Sequence, residues 1–382
     1  MNKGLLALAI GTFALGIAEF SMMGILSDVA QELDISVVTA GHFISAYSVG
    51  VAVGAPALIF LRKMPLRRLL LLLAAVIAAG NTAAALSPGY HALLLSRFVS
   101  GLPHGAFFGA GAIVAARLAA EGRGASAVAV MVGGMTVANL VGVPGATWLS
   151  NALSWRYAFA VVALAGALAF VAIRLFVPVL KPLPDTGLAG QFAFLRKAAP
   201  WLVYAGVFFG QMSVYCWFSY INPIMIHVTG FAEQSMTWIM VIAGGGMVFG
   251  NLVSGKLADR YSAARVTAWI ALLLVVVMAA IYFCAGNKIL SLLLAFTATA
   301  GLFGIGGPLQ YLITRYSKGG QMLGGAGIQI AFNVSNAIAA ALGGAVIHHG
   351  LGLASPALVG APLAAVGAAA LFILSKRYGD TD

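Results

Sequence analysis

The chain has 382 residues, of which 62% are hydrophobic and only 8% are charged, and its mean hydropathy is +1.00. A soluble domain is about 45–50% apolar and about 25% charged. This composition excludes a soluble enzyme, a secreted disulfide scaffold, a nucleic-acid binder and a disordered protein, and predicts a chain embedded in lipid. Cys216 and Cys284 lie in apolar runs and indicate neither a disulfide framework nor a metal cluster.

Twelve apolar segments follow one another along the chain, each long enough for a membrane helix of about 20 residues. Because they are long and do not alternate, they favour helices over a β-barrel. The first follows Lys3 as in a signal peptide, but it has no small-residue cleavage site and is expected to stay uncleaved. The twelve predicted spans lie near residues 5–25, 40–60, 67–87, 91–115, 125–148, 157–177, 199–226, 235–255, 265–285, 288–313, 321–346 and 355–375.

The net charge of +11 follows the loops between these segments. Eighteen Lys and Arg residues fall on one side of the predicted membrane, whereas only Arg156 and Lys288 fall on the other. Basic residues are retained on the cytoplasmic side. The pattern therefore predicts a multi-pass membrane protein with both termini in the cytoplasm.

The chain divides into two similar halves. The longest connection, residues 178–198, is rich in proline and predicts a cytoplasmic linker between a bundle at 1–177 and a bundle at 199–382. The segment GVAVG at 50–54 precedes one basic loop, and GMVFG at 246–250 precedes another. Internal repeats of this kind are typical of secondary transporters, whose substrate site lies where the halves meet.

Four motifs then resemble a known family. GIAEFSMMGILSDV (16–29) and SRFVSGLPHGAFFGAGAIV (96–114) are similar to the first-span and fourth-span signatures of the major facilitator superfamily. GGMTVANLVGVPGATWLS (133–150) resembles the fifth-span motif of its drug and sugar antiporter branch, and GKLADRYSAAR (255–265) resembles its loop motif. The resemblance covers nearly the whole chain.

This resemblance implies an all-α fold of two pseudo-symmetric six-helix bundles that exports a solute against proton entry by alternating access. It also implies a gating motif formed by Gly255, Asp259, Arg260 and Arg265, which we expect in the loop between spans eight and nine. The corresponding first-half loop, RKMPLRR, lacks the acidic residue. A further implied element is an antiporter-type bend at Gly142, Pro144 and Gly145, for which a static kink is the alternative.

Glu19 is the strongest candidate for proton coupling. It lies in the middle of the first span, where a charge costs about 2.5–3.5 kcal/mol on insertion scales. Desolvation favours its neutral form, which suits a group that binds and releases protons. The alternative is a protonated Glu that hydrogen-bonds a neighbouring helix.

Arg97 and His104 are the other two candidates for proton coupling. Arg97 is the only Lys or Arg in the interior of a predicted span rather than near its end, and it is either a charge partner of a nearby acid or a side chain that extends to water at the interface. His104 can relay protons near neutral pH, although a histidine in a glycine-rich helix can also be structural. Their spacing places both on one helix face.

A second set of residues could line a substrate cavity. Neutral amides and aromatic rings in a membrane need internal partners, and they suit a sugar or an amphipathic drug equally well. Contacts between helices are the alternative for each of them. The set comprises Asn139, Gln211, Tyr215, Phe218, Asn222, Gln310, Gln329, Asn333 and Asn336.

These patterns favour a proton-coupled exporter of small solutes over the other classes. Uptake by proton symport remains open, as does the choice between sugars and drugs. We find no P-loop for ATP and no catalytic motif, so a membrane-embedded enzyme is disfavoured. No filter-like segment indicates a channel. We expect a monomer without a cofactor, and no metal site at His348 and His349.

Overall fold

The described part of the chain is helical and contains no strand. A computed structural model describes residues 2–35, 37–58, 60–61, 63–180, 184 and 186–379. Arg62 and residues 181–183 and 185 of the predicted linker lie outside these ranges. Ten described helices are long and apolar enough to cross a membrane, and an eleventh meets this test together with the short helix before it. The remaining predicted span, near 40–60, contains a helix of 16 residues.

The prediction of twelve spans is consistent with these helices, which we label α1 to α12. In the first half they are α1 (Lys3–Glu32), α2 (His42–Ala57), α3 (Leu66–Ala85), α4 (Tyr90–Gly101 and Pro103–Leu118), α5 (Gly124–Val137 and Val143–Ala152) and α6 (Trp155–Phe176). In the second half they are α7 (Ala198–Phe218), α8 (Met236–Tyr261), α9 (Ala263–Cys284), α10 (Lys288–Gly304 and Gly306–Tyr316), α11 (Gln321–His348) and α12 (Ser355–Arg377).

Several helix bounds differ from the predicted ones. Helix α8 continues to Tyr261, so Asp259 and Arg260 lie in its last turn, and the prediction that they lie in a loop is wrong. Hydropathy marks where the lipid ends, whereas a helix ends where its backbone hydrogen bonds end. Helix α4 is interrupted at Leu102, before Pro103, and α10 is interrupted at Ile305. The linker contains a short helix, Gly187–Phe192.

Contacts divide the chain into two compact units. The first contains Met1–Glu121, Val130–Arg196 and Ser317–Ile330, and the second contains Gly122–Ala129, Lys197–Tyr316 and Ala331–Asp382. In the first unit α6 packs on α1 and α3, while α2 packs on α4. In the second unit α12 packs on α7 and α9, while α8 packs on α10. Each pair in one unit therefore has a counterpart six spans later in the other.

The glycines of the repeated sequence segments explain one of these pairs. A methyl group at Gly50 or Gly54 would collide with the carbonyl oxygen of Phe98 or Leu102 of α4. A methyl group at Gly246 or Gly250 would collide in the same way with carbonyl oxygens of α10. Small residues allow membrane helices to approach closely. The repeat in the sequence is thus a repeat of helix contacts, and it places α2 directly against α4.

Candidate functional site

Glu19 lies within the uninterrupted apolar helix α1, where only 7% of its surface is exposed. The next acidic residue on this helix, Asp28, is nine residues away, or about 14 Å along the axis at 1.5 Å per residue. Its carboxylate oxygen Oε2 lies 3.9 Å from Nε2 of His104, whose side chain is fully buried. The two residues lie on α1 and α4, far apart in sequence, yet they face each other in the interior of the first unit.

His104 is held by contacts on several sides. Its Nδ1 lies 2.8 Å from the hydroxyl of Tyr47 on α2. Its ring stacks on Phe108 one turn along α4, with ring centres 5.2 Å apart. The side chain of Gln329 on α11 also interacts with the imidazole. A buried side chain fixed on this many sides has little freedom to turn, so its two nitrogens keep separate partners.

Arg97 lies on the same helix and is also fully buried. Its guanidinium stacks on the ring of Tyr47 at 4.5 Å and on that of Phe159 at 5.5 Å. Its Nε donates to the carbonyl oxygen of Phe43 at 3.4 Å, and Nη1 and Nη2 have no hydrogen-bond partner among the described residues. The side chain is enclosed by aromatic rings, so the alternative in which it extends to water at the interface does not apply.

These side chains form one group, which we call the Glu19 cluster: Glu19, Tyr47, Arg97, His104 and Gln329. Sequence reasoning selected four of the five and missed Tyr47. An aromatic residue in an apolar span resembles any core residue. The available signal was its position on the face of α2 that carries Gly50 and Gly54, because close helix packing there directs Tyr47 toward α4.

The residues predicted to line a substrate cavity are distributed over several places. Tyr215 on α7 is buried and makes edge-to-face contacts with Phe218 at 6.2 Å and with Phe332 on α11 at 5.6 Å. Gln211 lies one turn before Tyr215 and is buried, as is Gln310 on α10. Gln329 lies in the Glu19 cluster instead.

The other predicted cavity residues are more accessible. Asn222 is exposed, and it lies beyond the end of α7 in the short helical turn Ile221–Pro223. Asn333 and Asn336 are partly buried on α11, and Asn139 is partly buried on α5. Lining of a substrate cavity by this set stays a prediction.

The bend motif coincides with a change in helix geometry. Residues Ala138–Gly142 form a π-helical turn between the two α-helical parts of α5, and Pro144 is the second residue of the part that follows. Proline lacks the N–H that would close the regular helix at this point. A methyl group at Gly142 would collide with Ile17 of α1, whereas Gly145 faces open space. Of the two glycines, only Gly142 is required for packing.

The gating motif of the second half contacts the start of α5. The carboxylate of Asp259 accepts hydrogen bonds from the backbone amides of Ala125 at 2.9 Å and Ser126 at 3.1 Å. These amides belong to the first turn of α5, where backbone N–H groups lack helical partners and favour a negative charge. One turn earlier, a methyl group at Gly255 would collide with Ala129.

The remaining motif residues do not contact that helix start in the same way. The guanidinium of Arg260 lies 5.3 Å from the ring of Tyr261, and Arg265 lies in the first turn of α9, where its backbone amide donates to Ser262. Sequence reasoning missed Asn251, which donates from Nδ2 to the carbonyl oxygen of Ala129 at 2.7 Å. Asn251, Gly255 and Asp259 are four residues apart, so they form one face of α8.

Comparisons with known proteins agree with the fold. The family described as the Major Facilitator Superfamily matches residues 8–324 and 201–381. The chain is 44% identical over 379 residues to a protein of Escherichia coli (strain K12) named as the transporter AraJ, covering 99% of this chain and 96% of that one. It is 36% identical over 382 residues to the inner membrane transport protein YdhP of Escherichia coli O157:H7, covering 100% and 98%.

A more distant relative is the chloramphenicol resistance protein of Streptomyces lividans, which is 29% identical over 371 residues and matches 96% of this chain and 94% of its own. Among solved structures, the transporter FucP in the outward conformation superposes with a TM-score of 0.79 at 16% identity, over 97% of this chain and 98% of its own. The human organic anion transporter MFSD10 gives a TM-score of 0.72 at 16% identity, over 97% and 99%.

Proposed function

This chain belongs to the Major Facilitator Superfamily and is a membrane transporter of small solutes, and from that premise we propose that it couples export of its solute to proton entry. The solute is a sugar such as arabinose or an amphipathic drug, moved across the bacterial inner membrane by alternating access. The protein acts as a monomer without a cofactor, and the proton gradient supplies the energy. Uptake by proton symport is the competing proposal.

The observation that carries this proposal is the buried pair of Glu19 and His104. Burial disfavours the ionised form of the Glu19 carboxyl group strongly and the neutral form much less. Its titratable partner His104 lies 3.9 Å away and is fully buried. A proton that enters the cluster therefore changes the charge of a buried group, and the lipid environment cannot compensate that change. Such a change favours one conformation over another.

Two further features support the proposal. The amides and rings predicted to line the cavity offer hydrogen bonds and apolar faces together, which suits a sugar or an amphipathic drug. The similarity to a chloramphenicol resistance protein supports a drug as the alternative substrate of this chain. The basic loops favour cytoplasmic termini, which would place the contact between Asp259 and α5 on the cytoplasmic side.

We propose that Asp259 latches this side closed. In this account its charge-assisted hydrogen bonds to the first turn of α5 break each time the cytoplasmic side opens. The substitution Asp259→Asn should increase hydrogen exchange at the amides of Ala125 and Ser126, and the local cap variant Asn287→Ala should leave those amides unchanged. Equal exchange in Asp259→Asn and the parent protein would remove the latch from the proposal.

The substrate is identified first, by counterflow into liposomes that contain the purified protein. The panel comprises L-arabinose, D-xylose, tetraphenylphosphonium and chloramphenicol. Counterflow of the pentoses alone supports sugar export, and counterflow of the last two alone supports drug export. Counterflow requires no proton gradient, so this step measures substrate binding and translocation separately from coupling.

The coupling test compares Glu19→Gln with the parent protein, using the substrate found by counterflow and a trapped pH-sensitive dye. We expect Glu19→Gln to retain counterflow and to lose substrate movement driven by a pH gradient. Glu32→Gln, on the same helix but exposed, is the matched control and should keep both activities. Full proton-driven transport by Glu19→Gln would show that Glu19 is not the proton site. Movement of substrate and protons in the same direction would establish symport instead of export.

A further inference from the structure

The two ring nitrogens of His104 face two different polar groups. Nδ1 lies 2.8 Å from the Tyr47 hydroxyl, and Nε2 lies 3.9 Å from Oε2 of Glu19. A neutral imidazole carries one N–H and one acceptor nitrogen, so only one of these two positions can donate at a time. The tautomer of His104 is therefore determined by the partner that requires a donor.

The protonation state of Glu19 decides which partner that is. When Glu19 is ionised, its oxygen is acceptor-only, so the hydrogen of His104 belongs on Nε2 and the Tyr47 hydroxyl donates to Nδ1. When Glu19 is protonated, its O–H donates to Nε2, so the hydrogen belongs on Nδ1 and Tyr47 accepts it. A hydroxyl can donate or accept, and Tyr47 therefore fits both states.

We propose that the tautomer of His104 follows the protonation state of Glu19, and that Tyr47 is a positioning residue whose hydroxyl is the partner of Nδ1 in both tautomers. The inference rests on the proposed role of Glu19 in proton coupling and adds a residue to it. Phenylalanine at position 47 would keep the ring beneath Arg97 but could neither donate to Nδ1 nor accept from it.

The change of tautomer balances with one proton. The Tyr47 hydroxyl passes its hydrogen to Nδ1 and takes up the incoming proton on its oxygen, and the hydrogen on Nε2 passes to Oε2 of Glu19. The imidazole is neutral before and after, and Glu19 gains the proton. The transfer requires the 3.9 Å separation to close by about 1 Å to hydrogen-bond distance.

The remaining groups around His104 favour a neutral ring that changes tautomer in place. The titratable and charged groups facing it are Glu19 from α1, Tyr47 from α2 and Arg97 from α4, and α11 contributes the neutral Gln329. The positive charge of Arg97, stacked on Tyr47, disfavours a second cation nearby. Stacking on Phe108 holds the ring plane, so the two nitrogens do not exchange places.

The test is nitrogen NMR of the full-length protein with ¹⁵N-labelled histidine, in nanodiscs of phosphatidylethanolamine and phosphatidylglycerol. The His104 signals are identified by their loss in His104→Gln. In the parent protein we expect the hydrogen on Nε2 at high pH and on Nδ1 at low pH. Tyr47→Phe should move the tautomer change to lower pH, because it leaves the hydrogen on Nδ1 without an acceptor in the low-pH tautomer, and Glu19→Gln should give one tautomer at every pH.

The chain provides a matched control in Tyr90→Phe. Tyr90 makes the same contact, hydroxyl to Nδ1 at 2.8 Å, with the exposed His42, so its removal should leave His104 unchanged. An imidazolium at low pH, a single tautomer throughout the pH range in the parent protein, or a tautomer change at an unaltered pH in Tyr47→Phe would each overturn the inference. The parent titration and the Glu19→Gln titration decide whether the tautomer follows Glu19 even if Tyr47→Phe fails to fold.

The failure of this inference and that of the proposed function are distinguishable. If Glu19→Gln uncouples transport but the His104 tautomer does not change with pH, Glu19 remains the proton site and the role proposed for Tyr47 is wrong. If the tautomer follows pH while Glu19→Gln stays fully coupled, the cluster titrates as described but does not drive transport.

Discussion

Two tyrosine–histidine pairs in the first unit share one geometry and have opposite surroundings. Tyr47 and His104 are almost fully buried, whereas His42 is exposed and Tyr90 is partly exposed. In both pairs the hydroxyl lies 2.8 Å from Nδ1, and the rings meet nearly edge to face, at 89° and 71°. Water can replace either partner of the exposed pair. Nothing replaces a partner of the buried pair, so the same hydrogen bond has a different energetic consequence at each site.

The neighbours of the two pairs extend this difference. The buried histidine faces Glu19, and the buried tyrosine lies beneath Arg97. The exposed pair contacts the aromatic rings of Phe43 and His91 through Tyr90. A change in the charge of a titratable group affects the surrounding structure most where water and ions cannot screen it, and such groups are candidates for function. The comparison therefore predicts that equal substitutions in the two pairs have unequal effects.

The largest expected effect is on proton coupling. His104→Gln should lower proton-driven transport about tenfold or more, because the proposed transfer requires a hydrogen bond from Nε2 to the charged Glu19, which contributes about 1.5–3 kcal/mol, and 1.4 kcal/mol corresponds to a factor of ten. His42→Gln should leave the rate within about twofold, as expected for a surface substitution. The measurement is initial flux into liposomes at a fixed pH gradient. Equal rates in the two variants would remove the functional distinction between the pairs.

A smaller effect is expected on stability. Tyr47→Phe leaves the buried Nδ1 of His104 without its partner, and an unsatisfied buried group costs about 1–3 kcal/mol. Tyr90→Phe should change the free energy of unfolding by no more than about 0.5 kcal/mol, since water can replace its hydroxyl. Thermal unfolding of both variants in the same detergent measures the difference. If Tyr90→Phe proved as destabilising as Tyr47→Phe, burial would not be the cause.

Much of the fold could be predicted because hydropathy is a local property. Each apolar run of about 20 residues becomes a helix, since lipid offers no other partner for its backbone. The repeat of GVAVG and GMVFG likewise reappears as the matching packing of α2 on α4 and α8 on α10. The π-turn at Ala138–Gly142 and the break at Leu102 were not predicted. Each lies beside a proline, Pro144 or Pro103, but a proline in an apolar run marks only where a helix is weakened and does not show whether a bend, a π-turn or a break results.

The candidate site could be predicted only in part, for a related reason. Glu19, Arg97 and His104 were selected because charge is rare within a span. That Glu19 and His104 lie 3.9 Å apart depends on the rotation of α1 against α4. Asn251 and Tyr47 were missed, because an amide or a phenol in a membrane helix has many structural uses. Gln329 was selected as a cavity residue but contacts His104, since a helix face found from spacing does not reveal which neighbour it meets.

The smallest expected effect concerns the exposed counterpart of the Glu19–His104 contact. Glu32 at the end of α1 forms an ion pair with Arg156, and the two side chains are 45% and 33% exposed. Exposed pairs of this kind contribute about 0.2–1 kcal/mol, and salt screens them. Glu32→Gln should therefore lower the melting temperature slightly in low salt and not at all in about 1 M salt, where the Debye length is about 3 Å.

The loss of stability in Tyr47→Phe should persist at both salt concentrations, because no ions reach a fully buried hydrogen bond. If the effect of Tyr47→Phe depended on salt, solvent would have access to the Glu19 cluster. The cluster would then be screened in the same way as the exposed pair of Glu32 and Arg156.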